Sequence, residues 1–225
     1  VSETPHIVSD VMTHTVVAVG RDASFKEIVR TMEQWKVSAM PVLEGEGRVI
    51  GVVSEADLLP KEEFRDSAPG LVEQRQRLSD VAKAGAQTAR QLMSTPAITV
   101  HPDATLAQAA RIMAVKHVKR LPVVDDLDLL QGIVSRADLL KVFLRTDEDL
   151  EEEVRRTVVS YLFPASSHAL HVHVEEGVVT LRGHVHDTSL VSVAVRLVRA
   201  IEGVVDVEPE LTGEPTPTPG SNDEP

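Results

Sequence analysis

Two stretches of the chain repeat one order of apolar and polar positions. In each, a short β-branched run comes first: Val16-Val17-Ala18-Val19, then Ile98-Thr99-Val100 in the second copy. An amphipathic segment follows. Phe25, Ile28, Val29 and Met32 fall at i, i+3, i+4 and i+7, and Leu106, Ala109, Ala110 and Met113 repeat the spacing, so each predicts a helix with one apolar face. Ser24 and Thr105, or the preceding Asp22 and Asp103, can cap these helices. Two strands are predicted next, at 40–43 with 49–54 and at 121–124 with 131–135, turning at Gly45-Glu46-Gly47 and Asp125-Asp126. A short helix opens just after Ser54 and Ser135. Each copy therefore reads β-α-β-β-α.

The two copies align without a gap. Residues 12–59 return as 93–140, an offset of 81, and 16 of the 48 aligned positions are identical. Such duplication predicts two copies of one unit, each with an apolar face that its twin covers. Between them, 61–90 is broken by Ser67-Ala68-Pro69-Gly70, and 71–84 has helical composition with weak periodicity, which predicts a partly helical connector.

A third segment has a different order. Thr146-Asp147 signals a cap, and Leu150, Val154, Val158 and Leu162 mark one face of a helix at 148–161. A hairpin is predicted at 170–174 and 178–185. With Glu176-Gly177 as its two-residue loop, Val174 faces Val179 and Val172 faces Leu181. A helix at 189–201 stops at Gly203, and a last strand spans 204–211, which makes an αββαβ unit. Residues 212–225 are rich in Pro, Gly and polar side chains and predict a disordered tail.

Composition narrows the function classes. Aromatics make up only 3% of the 225 residues, so aliphatic side chains must fill the core, and with no Cys there can be no disulfide, thiolate metal site or Cys nucleophile. No apolar run approaches 18 residues and the first residues lack a signal-peptide pattern, so the expectation is a soluble, cytoplasmic protein. Charge is uneven: residues 1–146 hold 18 Lys/Arg and 19 Asp/Glu (−1), whereas 147–225 hold 5 and 16 (−11). The acidic part would repel duplex nucleic acid, so no nucleic-acid partner is expected. There is no Gly-rich phosphate loop, no His-Glu-x-x-His pattern and no evident acid/base pair, so the chain reads as a non-enzyme.

These residues also carry a resemblance. The Gly-apolar-apolar-Ser-x-x-Asp endings (Gly51 to Asp57, Gly132 to Asp138), Pro41-Val42 and Pro122-Val123, and Asp22-Ala23 and Asp103-Ala104 make each repeat similar to a CBS domain. A tandem pair resembles a Bateman module, which implies that adenine nucleotides bind in clefts between the copies. The third segment resembles a BON domain through Gly177-Val178-Val179-Thr180-Leu181-x-Gly183-x-Val185 and Ile201-x-Gly203-Val204-Val205-x-Val207. The expected class is thus α+β or α/β. The expected divisions are a CBS domain at 7–60, the connector at 61–90, a CBS domain at 91–145, a BON domain at 146–212 and a tail at 213–225. By resemblance the chain forms a homodimer.

The repeated Ser-x-x-Asp admits two readings. It matches a helix N-cap pattern, and it also matches a ligand site in which Ser contacts phosphate while the carboxylate accepts both ribose hydroxyls. By resemblance, Asp57 and Asp138 are the ribose contacts, Ser54 and Ser135 lie near the phosphates, and first-strand residues (Val17 and Ala18; Ile98 and Thr99) line the adenine pocket. The copies then diverge. Lys119-Arg120 and Arg136 of the second repeat replace Ser38-Ala39 and Glu55 of the first. Either these cations are solvated strand-entry charges, or they make the Lys119, Arg120, Ser135, Arg136 and Asp138 cleft the stronger site for a regulatory adenine nucleotide. The Ser38, Ser54 and Asp57 cleft is then the weaker one, and no obligatory cofactor is implied.

On the hairpin, His171 and His173 share the non-core face with Thr180, Arg182, His184 and His186. They form either a polar sheet surface or a metal site drawn from His171, His173 and His184, with Arg182 opposing a cation. BON domains are associated with phospholipid or partner surfaces; the −11 charge disfavours anionic lipid and points to a protein partner, still unidentified. Three readings remain open: a nucleotide-sensing regulator that signals through its BON domain, a structural or stress-related interaction protein with vestigial clefts, and a metal-binding module.

Overall fold

The structure is a computed structural model that describes residues 6–65 and 78–213. The expected break at 67–70, the first half of the segment of helical composition at 71–84 and the tail from 214 lie outside those residues. The described residues divide into two compact units, 6–139 and 140–213.

In the first unit, Ser24 caps the helix Phe25–Trp35 by accepting from the Glu27 amide at 3.3 Å, and Thr105 caps Leu106–Lys116 through the Gln108 amide at 3.2 Å. Ser24 and Thr105, not Asp22 and Asp103, are the caps. Both helices end on a left-handed residue, Lys36 (φ 53°) and its repeat counterpart His117 (φ 55°). Strand β1 (Val19–Gly20) runs parallel to β2 (Ala39–Glu44), which pairs antiparallel with β3 (Arg48–Ser54). In the second repeat β4 (Arg120–Val124) pairs antiparallel with β5 (Leu130–Ser135). The ladder shifts register after Val42 and again after Val123, the same place in both copies.

The first strands are shorter than their β-branched runs. Only Val19 and Gly20 form a strand, and in the second copy Val100 alone bridges Val123. β-branching favours extended backbone but supplies no ladder partner, so the remaining residues form no ladder.

The two repeats exchange their leading segments. The helix Val8–Val11 precedes repeat one but docks on repeat two: the Val8 and Ser9 amides donate to the Ala104 and Pro102 carbonyls at 2.9 Å, and Thr13 bridges Ile133. The helix Ala89–Leu92 precedes repeat two but docks on repeat one, with the Ala89 and Arg90 amides on Ala23 and Arg21 and with Ser94 bridging Val52. Every partner in one set is offset by 81 from its counterpart in the other. Ala86, Ala89 and Leu92 belong to the same buried cluster as Ile28, Met32, Met40, Val42 and Val53 of repeat one.

This crossing explains the repeated glycine. A Cβ on Gly51 would lie 2.5 Å from Met93 Sδ and 2.9 Å from the Ser94 carbonyl; on Gly132 it would lie 2.6 Å from Met12 Sδ and 3.0 Å from the Thr13 carbonyl. The hairpin tips also meet, as the Leu130 amide donates to Gly47 O and the Val49 amide to Asp128 O, both at 3.0 Å.

The second unit is a three-stranded sheet with helices. Strands β6 (His171–Glu175) and β7 (Val178–Val185) form the hairpin in the expected register, Val172 opposite Leu181 and Val174 opposite Val179. Glu176 and Gly177 both have positive φ (50° and 74°), as the two-residue turn requires. Their amides each donate to the Asp147 carboxylate at 2.9 Å, which ties the turn to the helix Asp147–Val154. The expected helix at 148–161 is not one continuous α-helix: a π-helical turn, Arg155–Val159, interrupts it and leaves Val158 and Val159 both buried. The expected helix at 189–201 opens as a 3-10 turn and is α-helical over Val191–Arg199. Strand β8 (Asp206–Gly213) lies parallel to β7 and reaches two residues beyond the expected 211, because pairing with Val185 carries it to Gly213. Among the described residues no helix is long and apolar enough to cross a membrane.

Gly51→Ala and Gly132→Ala should each destabilise the first unit by about 1–3 kcal/mol through overpacking against backbone carbonyls. Urea unfolding measures this, and a midpoint equal to wild type would contradict the close approach.

Candidate functional site

Strand pairing builds the same corner twice. In repeat one, Ala39 lies opposite Ser54 and the Glu55 amide donates to Ser38 O at 3.0 Å; in repeat two, Arg120 lies opposite Ser135 and the Arg136 amide donates to Lys119 O at 3.1 Å. Register therefore brings Lys119, Arg120, Ser135, Arg136 and Asp138 together, and likewise Ser38, Ser54 and Asp57. In both corners the aspartate binds its serine. Asp57 Oδ2 accepts from Ser54 N (2.7 Å) and Oγ (2.8 Å), and Asp138 Oδ2 accepts from Ser135 N (2.9 Å) and Oγ (2.7 Å). The Asp138 amide also donates back to Ser135 Oγ at 3.3 Å. This is the capping arrangement, and it fixes the carboxylates in place for any further role.

The corners differ in what else they hold. Asp57 is buried, 7% exposed. Its Oδ1 accepts from the Lys83 ammonium and, at 3.4 Å, from Ser94 Oγ. Lys83 comes from the connector helix Leu78–Gly85 and Ser94 from the segment that crosses back from repeat two. Asp138 is half-buried. Arg120 leaves its own repeat: its guanidinium donates to Ser38 Oγ at 2.8 Å and approaches Ala39 O at 3.5 Å. It thus joins the two corners, with its chain rooted in the second and its charge in the first. Lys119 and Arg136 are exposed.

The first-strand residues line other depressions. Ala18 lines a depression of about 620 Å³ with Arg21, Asp22, Glu27 and Glu44, and Val17 packs against the repeat-one core. Thr99 lines another depression, about 460 Å³, with Arg21, Arg48, Arg90 and Asp128; Ser135 and Asp138 are not in its wall. Ile98 is half-buried between that wall and Val100.

Sequence reasoning missed Lys83, Ser94 and the three arginines. Lys83 sits in a segment without periodicity and outside the duplication; the position 81 residues earlier is Ser2, so the repeat gives it no twin. Ser94 was concealed because it precedes repeat two yet serves repeat one.

In the second unit His171 lies opposite Arg182, His173 opposite Thr180 and His184 beside Thr212, all exposed. Among the described residues no three His, Asp or Glu side chains gather as a metal set.

The comparisons with known proteins concern this same arrangement. The CBS-domain family model matches residues 8–61 and 89–145, and the BON-domain model matches 146–215. The chain is a tandem CBS-domain protein with a C-terminal BON domain. The protein MJ1426 of Methanocaldococcus jannaschii is 30% identical over 154 residues, which is 61% of this chain and 91% of that one. CBSX2 of Arabidopsis thaliana, solved in complex with AMP, is 26% identical with a TM-score of 0.54 over 62% of this chain and 97% of that chain. The CBS pair of MJ0100, solved with 5-methylthioadenosine and S-adenosyl-L-methionine, shares the fold at 19% identity and a TM-score of 0.50, over 61% and 99% of the two chains. Helices and mixed sheets combine into a Bateman module and a small BON domain, the fold class the repeats implied.

Asp57→Ala strands the Lys83 ammonium and the Ser54 donors in a partly buried corner. It should lower the stability of the first unit by about 2–3 kcal/mol. A urea midpoint within error of wild type would show that the corner contributes nothing.

Proposed function

We propose that this CBS–BON protein is a non-enzymatic regulator whose second-repeat corner binds an adenine nucleotide of the AMP, ADP or ATP class. The observation that carries the reading is the strand register that sets Lys119 and Arg120 beside the Ser135–Asp138 pair. Asp138 can accept a ribose diol, and Lys119, exposed at this corner, and Arg120, on turning from Ser38, can meet phosphate. The likeness to CBSX2, solved with AMP, supports the ligand class. Binding that favours one arrangement of the two repeats shifts their populations, and the BON domain passes the change to a protein partner. Its −11 charge over 147–225 suits a basic surface better than anionic phospholipid.

The reading includes a homodimer. Val29, Leu59 and Val115 are 42%, 64% and 65% exposed. Val29 and Leu59 also line a groove that joins Met32, Val37 and Leu58 to Glu33, Lys36, Ser38, Glu55 and Arg120, and its apolar side is one a second copy can cover.

Titration calorimetry with AMP, ADP and ATP tests the ligand. Micromolar binding, about 8 kcal/mol, is expected, and Asp138→Ala should weaken it about tenfold to a hundredfold through loss of charge-assisted hydrogen bonds. No heat with any adenine compound would leave the interaction-protein reading, with vestigial clefts, as the better one. Leu59→Glu should shift the mass measured by light scattering from two copies towards one; an unchanged dimer would place the interface elsewhere.

A further inference from the structure

Lys83 occupies the atom of Asp57 that a ribose would need. The carboxylate is saturated by the protein itself: Ser54 N and Oγ hold Oδ2, while the Lys83 ammonium and Ser94 Oγ hold Oδ1. The Lys83 and Asp57 side chains are only 18% and 9% exposed, so the pair sits where charge attraction is weakly screened. A ribose diol can donate two hydrogen bonds to a carboxylate but brings no positive charge, so entering at Asp57 would leave the displaced ammonium without its counter-ion in a partly buried corner.

The helix that carries Lys83, Leu78–Gly85, has no fully buried side chain. Lys61 Nζ donates to the Ala84 carbonyl at 2.9 Å while lying 5.2 Å over the Phe25 ring, and Lys83 reaches Asp57 one residue away. Two of the contacts that hold this helix are thus made by lysine side chains, Lys61 and Lys83.

We propose that Lys83 is the specificity-determining residue of the first cleft: an internal cation that reserves Asp57 and keeps a nucleoside out of repeat one. This rests on the reading of the CBS pair as a nucleotide module and gives its inequality a cause different from the missing phosphate cations. The first cleft is closed by occupation of its carboxylate, and a ligand opens it only by taking over the ammonium. A neutral nucleoside offers nothing that would hold that charge.

The test is calorimetry with AMP and adenosine on the full chain, comparing wild type, Lys83→Met, Lys83→Gln, Asp138→Ala and Lys83→Met/Asp57→Asn, with each fold checked by circular dichroism. Wild type should bind one adenosine per chain. Lys83→Met and Lys83→Gln should bind two, the added site lost in Lys83→Met/Asp57→Asn, with first-cleft affinity raised at least about tenfold. Wild-type binding that Asp138→Ala removes and that Lys83→Met leaves at one site would overturn the Lys83 assignment while keeping the nucleotide reading. No binding to wild type with one Asp57-dependent site in Lys83→Met would overturn the second-cleft reading and keep the assignment. Two sites already present in wild type, or none in any variant, would overturn it. Hydrogen exchange without ligand gives a second readout. Lys83→Met and Asp57→Asn should each speed exchange in 78–85, and the double variant should add nothing; additive effects would mean that the two residues do not act as one contact.

Discussion

The first unit depends on one constraint: each repeat is completed by a segment that belongs, in chain order, to the other. Val8–Val11 caps the edge of repeat two and Ala89–Leu92 that of repeat one, and each methionine that follows lies over a glycine with no room for a Cβ. A β-α-β-β-α unit alone would leave this edge of its sheet unpaired and its helix half-covered. Exchange solves both problems and makes the pair fold as one body. It also sets the corners, because Ser94 reaches Asp57 only through the crossing, and Arg120 reaches Ser38 because the two repeats meet there.

Duplication followed by exchange keeps backbone symmetry while allowing the chemistry to diverge. Bulges, left-handed helix ends and Ser–Asp pairs recur at matched positions. What differs comes from outside the repeated frame, or from side chains at its rim. Lys83 enters from a connector that exists once, and Arg120 replaces an alanine. One scaffold therefore carries two sites of different character without any change in its core. The BON unit depends on local ties of its own. Asp147 binds the hairpin turn, and Arg145 holds Glu153 at 2.6 Å and the Glu202 carbonyl at 2.9 Å, next to the Gly203 turn.

Much of this was legible in the residues. Periodicity located both long helices, Glu176-Gly177 set the hairpin register, and the Gly-to-Asp endings revealed the family, because each follows from local rules of spacing and turn chemistry. The exchange was not legible, since an ungapped repeat looks the same whether its leading segment packs at home or across. The π turn at Arg155–Val159 was hidden because an α-helical face and a face with one extra residue share most of their apolar positions. The corner residues were visible as a set, but the occupant of Asp57 was not: a lysine in a weakly patterned connector carries no sign of where its ammonium will rest. Val17, Ala18, Ile98 and Thr99 were expected on strands, but only the ends of those runs pair, because a ladder needs a partner that local sequence does not reveal.

The account comes down to unequal use of two matched carboxylates. A crystal structure of the protein grown with AMP addresses it most directly. The expected result is ribose density on Asp138, phosphate density near Lys119 and Arg120, and Lys83 still on Asp57. AMP seated on Asp57 with the second corner empty would contradict it.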